Sequence, residues 1–296
     1  MTLPPILVTG GTGTLGQQVV TRLREAGREV RVLSRRSATK TGAAKTGATK
    51  TSQEGPAFVT GDLATGAGLA AAVHGVGTIV HCASSRKDDA EATRNLVRTA
   101  AQEKEPPHLV YISIVGVDRF PRGYYKAKLA AEAIIAGSGL PWTTLRATQF
   151  YELIRSGAQR LAKLPVIPVP AGVAVQPVDS GEVAARLAEL ALGEPGGRVP
   201  DMAGPQVLSF ADGIRMYLTA TGRRAKPVVP VWIPGIGPIR AGALYPPPGS
   251  DAIIGHRTWP EFLGAKQGLP SLCVSAVTRC DIVVVGPEPR TGEDQG

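Results

Sequence analysis

A tyrosine and a lysine four residues apart, with a serine shortly before them, are the residues best suited to proton chemistry. Tyr124 and Lys128 fall in a helical pattern, so their side chains share one face. A lysine ammonium near a tyrosine favours the phenolate and brings the phenol pKa toward the working range. Ser113, at the end of an apolar strand, could hydrogen-bond the same substrate oxygen. We predict Ser113, Tyr124 and Lys128 as the catalytic group.

Alternatives to this assignment stay open. Tyr125 competes with Tyr124 for the tyrosine role, and Tyr124 could instead pack at the start of the helix. His81 and Cys82 suggest a metal pair only in isolation, and at a buried strand end we interpret them as core residues. No metal site is predicted.

The first strand and the turn after it carry a second chemical signal. An apolar run ends in glycines spaced G-x-x-G-x-x-G at Gly10, Gly13 and Gly16, and a helical pattern follows. In a dinucleotide site the first glycine permits the tight turn. The second lets backbone N–H groups approach the pyrophosphate, and the third lets helix and strand pack closely. The pyrophosphate then lies at the positive end of the helix dipole.

The end of the second predicted strand, 29–34, favours NADP over NAD. A carboxylate about 20 residues after the glycines would bind the ribose 2′-hydroxyl, but the chain there reads Ser34-Arg35-Arg36. Two guanidiniums suit a 2′-phosphate through charge and bidentate geometry. Most of the formal net charge of +9 lies between residues 21 and 50, beside this site. We interpret the basic patch as a solvated helix face and a basic loop, in which one or two arginines recognise the phosphate. We predict no nucleic-acid partner.

The alternation of strands and helices predicts the fold. Apolar, β-branched runs separated by helical patterns imply βαβ units. The result is an α/β fold, a doubly wound parallel sheet of the Rossmann type, with a smaller loop-rich C-terminal lobe. The predicted strands lie at 6–9, 29–34, 58–60, 78–83, 109–113 and 142–146.

Proline and glycine become frequent beyond residue 150, which marks a change of organisation. We predict an NAD(P)-binding domain at 1–150, a substrate-side lobe at 151–266 with elements returning to the sheet, and a tail at 267–296 without a predicted placement. A low-complexity insert at 38–52 predicts a surface loop. In the lobe we predict helices at 180–192 and 210–221, and a core that includes Trp232, Trp259 and Phe262.

Composition places the 296-residue chain among ordinary globular proteins, with 43% hydrophobic and 19% charged residues. No stretch approaches the ~18 apolar residues of a membrane span. Three cysteines without a C-x-x-C pair indicate a reducing compartment. We predict a cytoplasmic monomer or homodimer that acts on a small molecule, with no membrane partner.

These motifs together resemble the short-chain dehydrogenase/reductase superfamily. The resemblance rests on residues 9–16, on Gly61-Asp62-Leu63, on the strand end at Ser113 and on Tyr124-x-x-x-Lys128. The glycine spacing, Arg146 and the long C-terminal lobe resemble its atypical, NmrA-like NAD(P)-binding branch. The resemblance covers about residues 5–265.

The resemblance implies roles for further residues. Lys128 would hold the nicotinamide ribose, and the helix position where many members carry a supporting asparagine is occupied by Asp89. By this resemblance, the pyrophosphate and the 2′-phosphate would be lined by Thr12, Leu15, Ser34 and Arg35. The adenine would be met by Asp62 and Leu63, and the cofactor would be bordered by Ala83 and Ser84. The full predicted cofactor set is Gly10, Thr12, Gly13, Thr14, Leu15, Gly16, Ser34, Arg35, Arg36, Asp62, Leu63, Ala83, Ser84 and Lys128.

The predicted function is that of an NADP-dependent oxidoreductase, with NADPH preferred over NADH. It would transfer hydride between the nicotinamide and a small carbonyl, quinone or related compound. Tyr124 would exchange a proton with the substrate oxygen, and Ser113 would hydrogen-bond the same oxygen. Some proteins of the same branch bind NADP without turning it over. The alternative is therefore an NADP(H)-binding, redox-sensing regulatory protein with little or no turnover.

Overall fold

A parallel β-sheet in the first half of the chain carries the predicted sites at its strand ends. The computed structural model describes residues 3–35, 55–84 and 89–264. Arg36, the insert at 38–52 and the tail at 267–296 lie outside these ranges. The strands are β1 (Ile6–Thr9), β2 (Val30–Ser34), β3 (Ala57–Thr60), β4 (Thr78–His81), β5 (His108–Ile114) and β6 (Trp142–Ala147). The helices are α1 (Thr14–Glu25), α2 (Leu69–Val73), α3 (Asp89–Ala100) and α4 (Tyr124–Ala136).

These strands pair in the order β3-β2-β1-β4-β5-β6, and every neighbouring pair is parallel. The order changes direction at β1, which is the point where doubly wound sheets bind their ligands. The predicted α/β fold with a Rossmann-type sheet is confirmed.

The second half of the chain extends this sheet and adds smaller ones. Strands β9, β10 and β13 continue the sheet beyond β6, whereas β7 pairs with β12 and β8 with β11. The helices predicted at 180–192 and 210–221 are present. The elements are α5 (Tyr151–Leu161), β7 (Ile167–Pro170), β8 (Ala174–Val175), α6 (Ser180–Leu192), β9 (Gly197–Arg198), β10 (Met202–Ala203), β11 (Leu208–Ser209), α7 (Phe210–Ala220), β12 (Val228–Val231), α8 (Gly237–Arg240), β13 (Ile253–Ile254) and α9 (Trp259–Phe262).

Both faces of the sheet are covered, because side chains alternate between them along each strand. Ile6 and Val8 pack with α1 and α6, whereas Leu7 packs on the other face with α2, α3 and α4. A third cluster lies beneath the later elements and contains the fully buried Trp259, with Phe262 packed against it. The prediction of a core position is wrong for Trp232, which is 72% exposed and stacks its ring on the Arg240 guanidinium instead.

The parallel register brings the ends of β1, β4 and β5 to one edge of the sheet. Thr9 lies opposite His81, and His81 lies opposite Tyr111. The glycine turn follows β1, and α4 begins ten residues after β5 ends. The predicted cofactor and catalytic residues therefore share this edge. Among the helices within the described ranges, none is long and apolar enough to cross a membrane.

Candidate active site

The turn after β1 has two tightly packed glycines and one open one. Gly10 has φ +69°, and a Cβ there would lie 2.6 Å from the backbone nitrogen of Ala83. A Cβ on Gly16 would collide with the carbonyl oxygen of Gly10. Gly13 is exposed, and a Cβ there would meet only that same oxygen, at 3.3 Å. The turn is thus closed against the protein and open toward solvent at Gly13.

The N-terminus of α1 fits a pyrophosphate. Gly13 is the N-cap residue, and in the described chain no side chain caps this helix and no acidic residue occupies its first turn. The first backbone N–H groups of an α-helix have no partner inside the helix and carry the positive end of its dipole. Thr12 and Thr14 are exposed beside Gly13, whereas Leu15 and Gly16 are buried against the protein. An anion can therefore approach this end of the helix.

The end of β2 lies next to this turn. A Cβ on Gly11 would be 2.8 Å from Val32 Cγ1, so turn and strand are in contact. Ser34 is half-buried, and its carbonyl accepts a hydrogen bond of 3.0 Å from the Gly61 N–H, whereas Arg35 is exposed. Arg35 is thus the described cation at the place where the sequence predicts a 2′-phosphate.

The loop after β3, where the sequence predicts the adenine, is fixed by a residue that the sequence interpretation missed. Asn95 on α3 is 5% exposed and donates to the carbonyl oxygens of Leu63, at 3.0 Å, and Ala64, at 3.1 Å. Asp62 accepts from the Ala64 N–H at 2.9 Å, which tightens the same loop. The local sequence gives no distinct signal for this role of Asn95, because α3 also buries the polar residues Asp89 and Thr93.

Four polar side chains meet where β4, α3 and α4 come together. Lys128 and Asp89 are both buried, with 3.3 Å between Lys128 Nζ and Asp89 Oδ2. Ser84 Oγ donates to the same Oδ2 over 3.2 Å, and it is in direct contact with the Tyr124 hydroxyl. Lys128 also donates to the Ile112 carbonyl at 3.3 Å. A continuous path of polar contacts therefore links Tyr124, Ser84, Asp89 and Lys128.

Two other predicted hydroxyl groups, those of Ser113 and Tyr125, lie outside this polar path. Ser113 is 2% exposed, and its hydroxyl makes no hydrogen bond in the described structure, so Ser84 rather than Ser113 touches Tyr124. Tyr125 packs edge-on against Phe120, with 5.9 Å between ring centroids, and burial raises its pKa. Of the two tyrosines, Tyr124 is the one whose hydroxyl lies in the path to Lys128.

Burial dominates the electrostatics below this cluster. It lowers the pKa of Lys128, while Asp89 acts in the opposite direction. Burial, assisted by Lys128, lowers the pKa of His81 to about 3, and burial raises the pKa of the Cys82 thiol to about 12. His81 and Cys82 are therefore neutral near pH 7. His81 Nδ1 lies 2.7 Å from Thr9 Oγ1 and its ring stacks on Tyr111, as expected of a core residue.

Arg146 fixes the helix that carries Tyr124 and Lys128. Its buried guanidinium on β6 donates to both carboxylate oxygens of Glu132 on α4, at 2.8 and 2.6 Å, and to Asp118 at 2.9 Å. A bidentate arginine–carboxylate pair is geometrically specific. Arg146 thus ties α4 and the segment after β5 to the sheet.

Two proteins of known name are similar to this chain in sequence. A (4-alkanoyl-5-oxo-2,5-dihydrofuran-3-yl)methyl phosphate reductase of Streptomyces griseus is 29% identical over 258 residues, covering 84% of each chain. The photosystem II assembly factor Ycf39 of Trieres chinensis is 26% identical over 189 residues, which is 60% of this chain. This chain spans 57% of the length of that protein.

A solved structure and a family profile identify the fold family. An NADPH-dependent quinone oxidoreductase of Escherichia coli, complexed with NADPH, superposes with a TM-score of 0.71 at 20% identity, covering 88% of this chain and 98% of that one. The family described as NAD(P)H-binding matches residues 10–167, which include the glycine turn and the Tyr124–Lys128 helix. The chain therefore belongs to the NAD(P)H-binding family, of the NmrA-like, short-chain dehydrogenase/reductase type, and its cofactor is NAD(P).

Proposed function

We propose that this protein is an NADPH-dependent reductase that transfers hydride to a small carbonyl, quinone or related compound. The observation that carries the proposal is the contact of the Tyr124 hydroxyl with Ser84, in a polar path that ends at the buried Lys128. This path lies at the same sheet edge as the open glycine turn. A proton donor beside a nicotinamide site is what carbonyl reduction requires.

The chain's own residues would divide the work as follows. The N-terminus of α1 binds the pyrophosphate, and the exposed Arg35 binds a 2′-phosphate. Lys128 orients the nicotinamide ribose, and Tyr124 gives a proton to the substrate oxygen. The cofactor, when bound, supplies the hydride.

The relatives support a reductive reaction on a carbonyl compound. The Streptomyces griseus protein is named as a reductase of a molecule with oxo and alkanoyl groups, and it aligns over 84% of this chain. The Escherichia coli structure is named as a quinone oxidoreductase and contains NADPH. Both names refer to compounds that contain carbonyl groups.

The test is NADPH oxidation by the purified full chain against quinones, aldehydes, ketones and an acyl dihydrofuranone. Tyr124→Phe should lower kcat by about 10²–10⁴-fold while NADPH still binds, because it removes the proton donor only. Tyr125→Phe is the matched control and should retain turnover within a few-fold. Equal losses in the two variants would contradict the role of Tyr124.

A second candidate function is the redox-sensing NADP(H)-binding protein. It is favoured by one observation, the Ser113 hydroxyl that does not reach Tyr124. Tight NADPH binding without oxidation of the cofactor on any compound of the panel would favour this candidate. Turnover that depends on Tyr124 would exclude it.

A further inference from the structure

We propose that the exposed face of the β7–β12 sheet binds the surface of a membrane that contains anionic phospholipids. The proposal goes beyond the reductase function and does not depend on it. It starts from Trp232, whose exposed indole the proposed reductase function does not use. The prediction of no membrane partner rests on the lack of a spanning stretch, which a contact at the bilayer surface does not need.

The β7–β12 sheet has one buried face and one exposed apolar face. Ile167 and Val169 of β7 are buried in the third core cluster, and side chains alternate between the two faces along a strand. The other face therefore carries Pro168, which is exposed and lies opposite the exposed Val229 of β12 in the register. The large exposed apolar residues on and beside this face are Leu164, Val166, Val229, Val231, Trp232 and Ile233. Exposed apolar side chains grouped in this way mark a site of interaction.

Cations lie at both ends of this face. Because β7 and β12 are parallel, the loops that lead into them meet at one end. There Lys226 Nζ donates to the carbonyl oxygens of Ala162 and Leu164, each at 2.9 Å. At the other end the Arg240 guanidinium carbon lies 3.4 Å from the centre of a ring of Trp232. The two loops also carry three exposed cations, which are Lys163, Arg223 and Arg224.

Acidic side chains are absent from the segments that form this sheet. Residues 153–178 and 213–250 contain three and five arginines or lysines, respectively, and no aspartate or glutamate. Within the described ranges only Arg215 among these cations forms an ion pair, with Asp212. The face thus combines apolar side chains with cations that have no counter-ion. This combination is complementary to an anionic bilayer, where lipid headgroups attract cations and the acyl boundary takes up apolar side chains.

Two protein occupants of this face are disfavoured. A strand added to the sheet would pair with the free edge of β12. The Val231 carbonyl accepts from the Ala171 N–H on the β7 side, so the neighbouring Pro230 faces the free edge, where its missing N–H interrupts a ladder. A second copy of this chain would bring the same cations together, which like charges oppose. An exposed tryptophan beside an arginine is instead typical of the boundary between lipid and water.

The experiment is flotation of the full chain with vesicles of phosphatidylcholine, alone or mixed with phosphatidylglycerol. The parent should float with the mixed vesicles only, and its tryptophan emission should shift to the blue as Trp232 enters lipid. The variant Val229→Ser/Val231→Ser/Trp232→Ser should bind at least about tenfold more weakly, because the apolar contact is removed. Leu192→Ser, at the exposed end of α6, is the control and should bind like the parent. Flotation with neither vesicle, or equal binding by the triple variant, would overturn the proposal.

A second pair of variants tests the cations. Arg223→Gln/Arg224→Gln should weaken binding to the mixed vesicles by about 10–30-fold, since each cation near an anionic surface contributes to binding. Arg94→Gln/Lys104→Gln removes the same charge at exposed positions elsewhere, and equal losses would overturn the proposal because net charge alone would then govern binding. Binding of polyglutamate without binding of mixed vesicles would overturn it in favour of an acidic protein partner. Urea unfolding verifies that each variant is folded, and no measurement here needs turnover.

Discussion

The glycine turn and the Tyr124 cluster share one sheet edge, but the turn is formed by backbone atoms and the cluster by side chains. The turn is made of backbone, within seven consecutive residues, and its shape depends on the absence of side chains at Gly10 and Gly16. The cluster is made of side chains from β4's end, α3 and α4, which are up to 44 residues apart along the chain: Ser84, Asp89, Tyr124 and Lys128. A local backbone site tolerates few residue types, whereas an assembled site depends on packing elsewhere.

The sharpest test of this difference is substitution within the turn. Gly16→Ala should lower the free energy of unfolding by about 3 kcal/mol, since its Cβ would collide with the Gly10 carbonyl and the neighbouring atoms are backbone. Gly13→Ala should destabilise the protein much less, because its Cβ would meet a single atom at 3.3 Å, which needs a shift of only a few tenths of an ångström. Urea unfolding of both variants measures this. Equal destabilisation would mean that the turn is not closed on one side and open on the other.

Gly13→Ala has a second consequence that Gly16→Ala cannot isolate. Its methyl group would stand on the exposed side of the turn, where the pyrophosphate is expected. NADPH affinity should therefore fall in a variant that is fully folded. Retention of parental affinity by Gly13→Ala would contradict the placement of the pyrophosphate.

A smaller effect is expected from Arg35, for which we propose a contact with the 2′-phosphate of the cofactor. Arg35→Ala should weaken NADPH binding by about 1.5–3 kcal/mol, because a charge-assisted bond to the 2′-phosphate is lost. NADH binding should change little. Arg31→Ala, on the strand that Arg35 follows, is the control, because Arg31 donates to the His74 carbonyl instead. If NADH binding fell as much as NADPH binding, Arg35 would not recognise the 2′-phosphate.

These two regions also explain how far the sequence could predict the site. The glycine turn and the positions of the strands follow from local patterns, since turn geometry and side-chain alternation act over a few residues. Tyr124 and Lys128 could be paired because a helix fixes their separation. The contacts of Ser84 and Asp89 could not be predicted, because they depend on how the end of β4 and the start of α3 pack against α4.

The environments of two further residues could not be predicted for the same reason. Trp232 has the composition of a core residue but stacks on Arg240 at the surface, a pairing set by the path of the chain between β12 and α8. Asn95 looks like an ordinary polar residue, yet it holds the loop at Leu63. In both cases the partner lies outside the local segment, so periodicity carries no information about it.

The last prediction concerns His81, which lies beneath the Tyr124 cluster and whose effect on stability is seen only at acidic pH. Its Nε2 is 3.3 Å from Thr93 Oγ1, and Thr93 donates to the Asp89 carbonyl at 2.7 Å, so it supports the start of α3. Its pKa is lowered to about 3, mainly by burial, from an ordinary 6.5. Between these values the unfolded chain binds the extra proton, so stability is present above 6.5 and is lost as pH falls.

The parent should therefore lose up to about 1.4 kcal/mol more per pH unit than His81→Asn as the pH falls below 6.5. Urea unfolding of both proteins at a series of pH values measures the difference, with His256→Asn at an exposed position as the control. Carboxylates that titrate in the same range act on all three proteins and cancel in the comparison. Parallel pH dependences for the parent and His81→Asn would mean that His81 is not held neutral, and that α3 does not depend on an uncharged ring beneath Asp89.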